Sequence, residues 1–151
     1  MIAGVRTKPL RMNIDERGRL MEILRRDDDL FAKFGQVYMT TAFPGVVKAW
    51  HYHRLQTDNF TCLRGLIKLV LYDNRNGSLT RGEINEFFLG DDNRLVVQIP
   101  PGVYHGFKGV GTTEALVLNV PTEPYNAQQP DEYRLPAHDP SIPYDWAIKE
   151  H

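Results

Sequence analysis

The sequence has almost no cysteine, no excess of either charge, no long apolar run and hardly any helical spacing. The single cysteine, Cys62, excludes an intramolecular disulfide. Within the alternating run Phe60-Thr-Cys-Leu63 it reads as a packing residue rather than a nucleophile. Eighteen basic and nineteen acidic residues leave a net charge of −1, so there is no electrostatic footprint for nucleic acid or an anionic membrane. No segment approaches the roughly 18 apolar residues of a membrane helix, and the N-terminus lacks the apolar core of a secretory signal, so a cytoplasmic chain is expected. Hydrophobic residues at 42% and charged residues at 25% describe a folded chain. Its 151 residues make one domain, 1–151, large enough to bury a core unaided.

What the chain does have is short extended runs separated by turn chemistry. They cover residues 19–24, 36–41, 46–52, 59–63, 66–72, 83–89, 95–99, 104–108 and 115–120, with Asn76-Gly77 a strong tight-turn signal. Residues 1–12 alternate weakly and suit an arm or edge strand pairing with another subunit. Asp27-Asp-Asp-Leu-Phe-Ala-Lys-Phe34 predicts a short helix, with acids in its first turn and Leu30, Phe31 and Phe34 as its stripe. From Pro121 onward six prolines forbid ladder strands, while Tyr125, Tyr133, Tyr144 and Trp146 predict a tail, 121–151, that packs back on the body. About ten strands with one short helix mean an all-β jelly-roll barrel or sandwich.

The chemistry concentrates between Gly45 and Gly65. His51 and His53 stand two apart on a strand, so both imidazoles project from one face. Asp58 follows, and His105 comes after the turn Pro100-Pro-Gly102. Three imidazoles and a carboxylate converging in a barrel mouth suit proton transfer or a metal ion. The bland reading is a polar pocket lining without either. Glu22, on the strand 19–24, reads from the residues alone as solvent-facing.

Gly45, His51, His53, Asp58 and Gly65 carry the spacing of the first cupin motif, with aspartate in place of the usual glutamate. Pro100-Pro-Gly-Val-Tyr-His105 matches the core of the second. Asp15-Glu-Arg-Gly-Arg-Leu-Met-Glu22, Val47-Lys-Ala-Trp-His-Tyr52, Ile99 to Phe107, Thr122-Glu-Pro-Tyr125 and Asp139 to Trp146 together resemble the dTDP-4-dehydrorhamnose 3,5-epimerase family nearly end to end. The resemblance implies a metal-free cupin without cofactor, a homodimer through exchanged N-terminal strands, and a dTDP-4-keto-6-deoxy sugar as substrate. It implies His51 as the base, Asp139 as the carboxylate that orients it, His105 as a pocket histidine near the sugar, Arg17 and Glu22 at the nucleotide end, and Tyr125 stacked on the nucleobase. Glu22 thereby moves from solvent to substrate.

A ketone acidifies the neighbouring C–H bonds, so one base can form an enolate and reprotonation from the other face inverts the carbon. The sequence departs from the family at Lys48, where arginine is usual, at Asp58 or Asn59, where a lysine is usual, and at Leu118-Asn119, where the tyrosine acid is usual. Lys48 becomes the candidate cation for the enolate, and His53 or His105 the candidate acid. Asn119 can hydrogen-bond to substrate but cannot deliver a proton, which brings single-centre epimerisation into view. Three alternatives stay open: a dTDP-sugar 3,4-ketoisomerase, suggested by the His51-Tyr-His53 pair; an enzyme with one divalent transition metal on His51, His53, Asp58 and His105; and a nucleotide-sugar binding protein without catalysis.

Overall fold

Alternating side chains punctuated by glycine, asparagine and proline fold this chain into strands. The computed structural model, which describes residues 1–149, has twelve: β1 (Arg6–Pro9), β2 (Met12–Asp15), β3 (Gly18–Met21), β4 (Tyr38–Ala42), β5 (Val47–Tyr52), β6 (Asp58–Arg64), β7 (Leu66–Asp73), β8 (Ile84–Gly90), β9 (Leu95–Ile99), β10 (Val103–Gly109), β11 (Ala115–Asn119) and β12 (Tyr133–Arg134). One sheet runs β1-β9-β6-β11-β4 and the other β12-β5-β10-β7-β8, while β2 and β3 form a separate ribbon. All pairings are antiparallel. From β4 to β12 the chain changes sheet at every step except β7 to β8, which is the expected jelly roll.

The core lies between the sheets. Phe60, Cys62, Val97, Ile99 and Val117 from one meet Ile67, Leu69, Leu71, Leu89 and Phe107 from the other, and each is buried. Burying one such aliphatic or aromatic side chain contributes about 1.5–3 kcal/mol. Cys62 belongs to this layer; burial pushes its thiol up to about 11, and its Sγ donates to the Arg64 carbonyl, as befits a packing residue.

Strand β7 is buried on both faces because the proline-rich tail covers the outer side of its sheet. Ile142 and Trp146 pack there on Trp50, Val70 and Tyr72. The indole N–H groups of Trp50 and Trp146 both donate to the Ala137 carbonyl, at 3.1 and 3.2 Å. The Lys68 ammonium lies over the Tyr144 and Trp146 rings, 5.2 and 5.9 Å from their centroids, so its charge is met by aromatic faces. The tail therefore packs back as its aromatics require, and only β12 joins a ladder.

The short helix expected over 27–34 is not formed; residues 26–30 make turns, and no helix occurs among the described residues. The carboxylates that would have complemented its first turn are taken by tertiary partners. Asp28 accepts from the Lys8 ammonium and the Arg25 backbone N–H, and Asp27 from the Arg25 guanidinium. Phe34 stays exposed, so the apolar stripe has no common face to bury. No helix among the described residues is long and apolar enough to cross a membrane. In the N-terminal arm, β1 pairs with β9 of its own sheet, whereas the β2–β3 ribbon stands off both sheets with Ile14 and Leu20 exposed.

Candidate active site

A break in strand register gathers the functional side chains. His51 on β5 pairs with His105 on β10, but the next pair is Lys48 with Phe107, so Ala49 and Trp50 together stand opposite Gly106. This bulge turns Lys48, three residues before His51, onto the same inner face. Gly106 is needed there, because a Cβ would lie 2.3 Å from the Cβ of Ala49.

The inner face opens into a cavity of about 1010 Å³ between the sheets. Lys48, His51, His53 and Phe107 line one wall, Tyr38, Thr40 and Phe60 the other, and Tyr125, Asp131 and Arg134 of the tail close the side. This volume is of the order that holds a sizeable organic ligand. A more open groove of about 760 Å³ lies outside, among Met1, Glu86 and Tyr144, and carries no histidine.

Next to His53 and Gln56 of the lining, Asp58 is buried among donors. Its Oδ1 accepts from Gln56 Nε2 at 2.6 Å and from Asn119 Nδ2 at 2.7 Å. Its Oδ2 lies 3.4 Å from His53 Nε2 and 3.1 Å from His105 Nε2. His105 Nδ1 donates to the Val103 carbonyl at 3.1 Å, so Nε2 is the nitrogen aimed at Asp58. His53 Nδ1 donates to the Asp131 carbonyl. The Asp131 carboxylate in turn accepts the backbone N–H groups of Arg54, Leu55 and Gln56 at 2.8, 2.8 and 3.1 Å, clamping the loop between β5 and β6.

These surroundings shift His51 and His53 in opposite directions. Burial is the main cause that holds His51 well below its ordinary value, helped by His105 and opposed by Asp58, so His51 is a neutral imidazole with its lone pair available. Burial also works against charge on His53, but the hydrogen bond to Asp58 and the charges of Asp58 and Asp131 outweigh it and raise its pKa. Burial disfavours an ionised Asp58, yet His105 and His53 hold it well below the carboxylate range.

The sequence-predicted residues divide accordingly. His51, His53, Lys48 and Tyr125 line the cavity, while His105, Asp58 and Asn119 are buried behind that lining, with Asp58 beside His53 and His105 and Asn119 donating to Asp58. Lys48 donates to Thr40 Oγ1 at 2.9 Å across the gap between the sheets. Asp139 is not brought to His51. Its carboxylate accepts from Ser141 N at 2.9 Å and from the Ser141 hydroxyl, capping the turn before Ile142, and no hydrogen bond or ion pair joins it to His51 among the described residues. The carboxylate in the cluster is Asp58. Arg17 is paired with Asp15 at the tip of the exposed ribbon and Glu22 with Arg25, so neither lines the cavity of its own chain. His53 and His105 sit on the same wall as His51, which disqualifies them as donors from the opposite side.

Sequence reasoning missed Tyr38, Gln56, Asp131 and Arg134. Tyr38 and Arg134 are each legible only through strand pairing, opposite Asn119 and His51 respectively. Asp131 is a loop acid whose partners lie 75–78 residues away.

One ring nitrogen from each of His51, His53 and His105 lies within 4.8 Å of the others. Three imidazoles with Nδ1 of two of them fixed by carbonyls are a donor set that fits a divalent transition metal as well as a proton relay.

Residues 13–133 match the family model described as the polysaccharide biosynthesis C-terminal domain. The chain is 41% identical over 152 residues to the probable low-salt glycan biosynthesis epimerase Agl13 of Haloferax volcanii, covering 99% of this chain and 97% of the relative. It is 31% identical over 141 residues to the dTDP-4-dehydrorhamnose 3,5-epimerase of Methanothermobacter thermautotrophicus, covering 89% of this chain and 75% of that enzyme. A crystal structure described as a dTDP sugar isomerase from Desulfovibrio desulfuricans G20 superposes with a TM-score of 0.93 at 37% identity, covering 99% of this chain and 94% of that one.

Proposed function

This chain belongs to the dTDP-4-dehydrorhamnose 3,5-epimerase family of cupin sugar epimerases, and on that premise we propose that it inverts a carbon beside the ketone of a dTDP-4-keto-6-deoxyhexose, with His51 as the base. The observation that carries the reading is a neutral imidazole facing a large cavity between the sheets. A base of this kind takes a proton from the carbon next to the ketone, and the bonding pair moves to the ketone oxygen as an enolate. Lys48 on the same wall, and Arg134 paired with His51 across the β5–β12 ladder, supply positive charge for that oxygen. Asp58 serves as the fixed negative centre that keeps His53 and His105 oriented, the part Asp139 does not play.

Tyr125, exposed at the cavity rim, is placed to stack on a nucleobase. Arg17 and Glu22 reach a nucleotide only from a second copy. We assign that role to a homodimer in which the β2–β3 ribbon of one protomer lies against the cavity of its partner, a part that β1 cannot take while it pairs with its own β9.

A second reading is favoured by the convergence of the three imidazoles. A divalent metal held there by His51, His53 and His105, with Asp58 beside it, would polarise the ketone oxygen.

Incubation with dTDP-4-keto-6-deoxyglucose in heavy water tests both. Deuterium at C3, or at C3 and C5, with inversion supports the epimerase reading and counts its centres. Deuterium without inversion and a shifted ketone would make it a ketoisomerase, and tight binding without exchange a binding protein. Turnover that survives chelation supports acid–base chemistry; turnover lost together with a stoichiometric ion supports the metal.

A further inference from the structure

Inversion needs a proton delivered to the face of the sugar opposite the base, and His53 and His105 share the wall of His51. The other wall offers a hydroxyl. Tyr38 on β4 stands directly opposite Asn119 on β11; Tyr38 lines the cavity and Asn119 turns to the same face, where it reaches Asp58, whereas the neighbouring pair Met39 and Leu118 takes the other face. A donor on β11 at Leu118 would therefore miss the cavity, and the phenol comes instead from the adjacent strand.

The orientation of that phenol follows from Asp58. The Asn119 side chain gives its amide nitrogen to Asp58 Oδ1, which accepts at 2.7 Å. The same nitrogen lies 3.0 Å from Tyr38 Oη. Nδ2 has two hydrogens and spends one on each partner, so the phenol oxygen is an acceptor here and its own O–H is left to point elsewhere.

We propose that Tyr38 is the general acid, protonating the carbon from the wall opposite His51. The assignment rests on the epimerase reading above. In the step, His51 has taken the C–H proton and become imidazolium, and the enolate electrons return to carbon as the Tyr38 O–H proton is transferred. Tyr38 is left as a phenolate, stabilised by the Asn119 N–H. The phenolate regains a proton from solvent at the cavity mouth and the imidazolium returns one to solvent, so the cycle closes without any other reactant. Burial raises the phenol above its ordinary value, against the pull of the Asn119 hydrogen bond, so it enters the cycle protonated.

The test separates exchange from inversion, using dTDP-4-keto-6-deoxyglucose in heavy water with wild type and Tyr38→Phe, the latter first shown by circular dichroism to be folded. Loss of a general acid slows the inverted product by about 10²-fold or more. His51 can still remove and return hydrogen on its own face, so Tyr38→Phe continues to wash deuterium into the sugar with retained configuration. Inversion at the wild-type rate overturns the assignment, and so does a loss of exchange and inversion together, which would mark Tyr38 as a binding residue. Failure of the parent reading looks different, because wild type itself would then neither exchange nor invert.

Discussion

The two faces of strand β5 divide the labour of the molecule. Outward, Trp50 meets Tyr144 and Trp146 with ring centroids 5.8 and 5.0 Å away, and Tyr52 sits 4.6 Å from Tyr104 and 4.9 Å from Tyr133. Inward, Lys48 and His51 face the cavity, and His53 follows at the strand end. The outer face is aromatic and covered by the tail; the inner face is polar and charge-tuned. The lesson is that the tail anchors a strand whose other side carries the proposed base, so stability and activity are expected to be separable by alternate residues.

The largest effect should come from the inner face. His51→Ala is expected to lower turnover by at least about 10²–10⁴-fold, the contribution of a positioned base, with the melting temperature nearly unchanged. Trp146→Ala should do the reverse. Emptying that buried position costs about 3–5 kcal/mol, read by urea denaturation, while the folded fraction keeps its turnover. If both variants lost activity without losing stability, the division between faces would be wrong.

Asp131 links the two regions, since it comes from the tail but clamps the loop beside His53. Asp131→Asn weakens three backbone hydrogen bonds to a charged acceptor and should cost about 1–3 kcal/mol, while the His53 pKa followed by NMR moves down as a nearby charge is lost.

The smallest effect is one of pH. His53 has a folded pKa raised above its ordinary 6.5, so its contribution to stability is fully present below 6.5 and fades as pH rises through the raised value. His53→Gln should therefore lower the melting temperature more on the acid side of that window than on the alkaline side. His51 has the opposite sign: held well below 6.5, it stays neutral as pH falls through that value, and the acid limb of kcat/KM should lie lower than for an unperturbed histidine.

Much of this was legible in the sequence. Strands β5 to β11 fall within a residue or two of the extended runs, because turn residues bound them and alternation sets their faces, whereas β12 lies in the tail where the prolines predict no ladder. The shared face of His51 and His53 follows from the same alternation, whereas the inward turn of Asp58 does not, because it depends on the loop between β5 and β6 and on its partners Gln56 and Asn119. The helix at 27–34 was wrong because local propensity could not show Lys8 and Gln98 claiming Asp28 and the Leu30 carbonyl. The role of Asp139 rested on likeness to a motif, whereas its carboxylate serves a turn. Lys48 reaches the cavity only through the bulge at Gly106, and Tyr38 only through its register with Asn119, both properties of strand pairing that a single strand does not display.

The central claim is that His51 moves a proton between carbon and solvent inside this cavity. Its most direct measurement is the rate of deuterium wash-in to dTDP-4-keto-6-deoxyglucose by chelator-treated wild type and by His51→Ala. The account predicts deuterium beside the ketone with wild type and none above background with the variant. Equal wash-in by both proteins, or none by wild type, would contradict it.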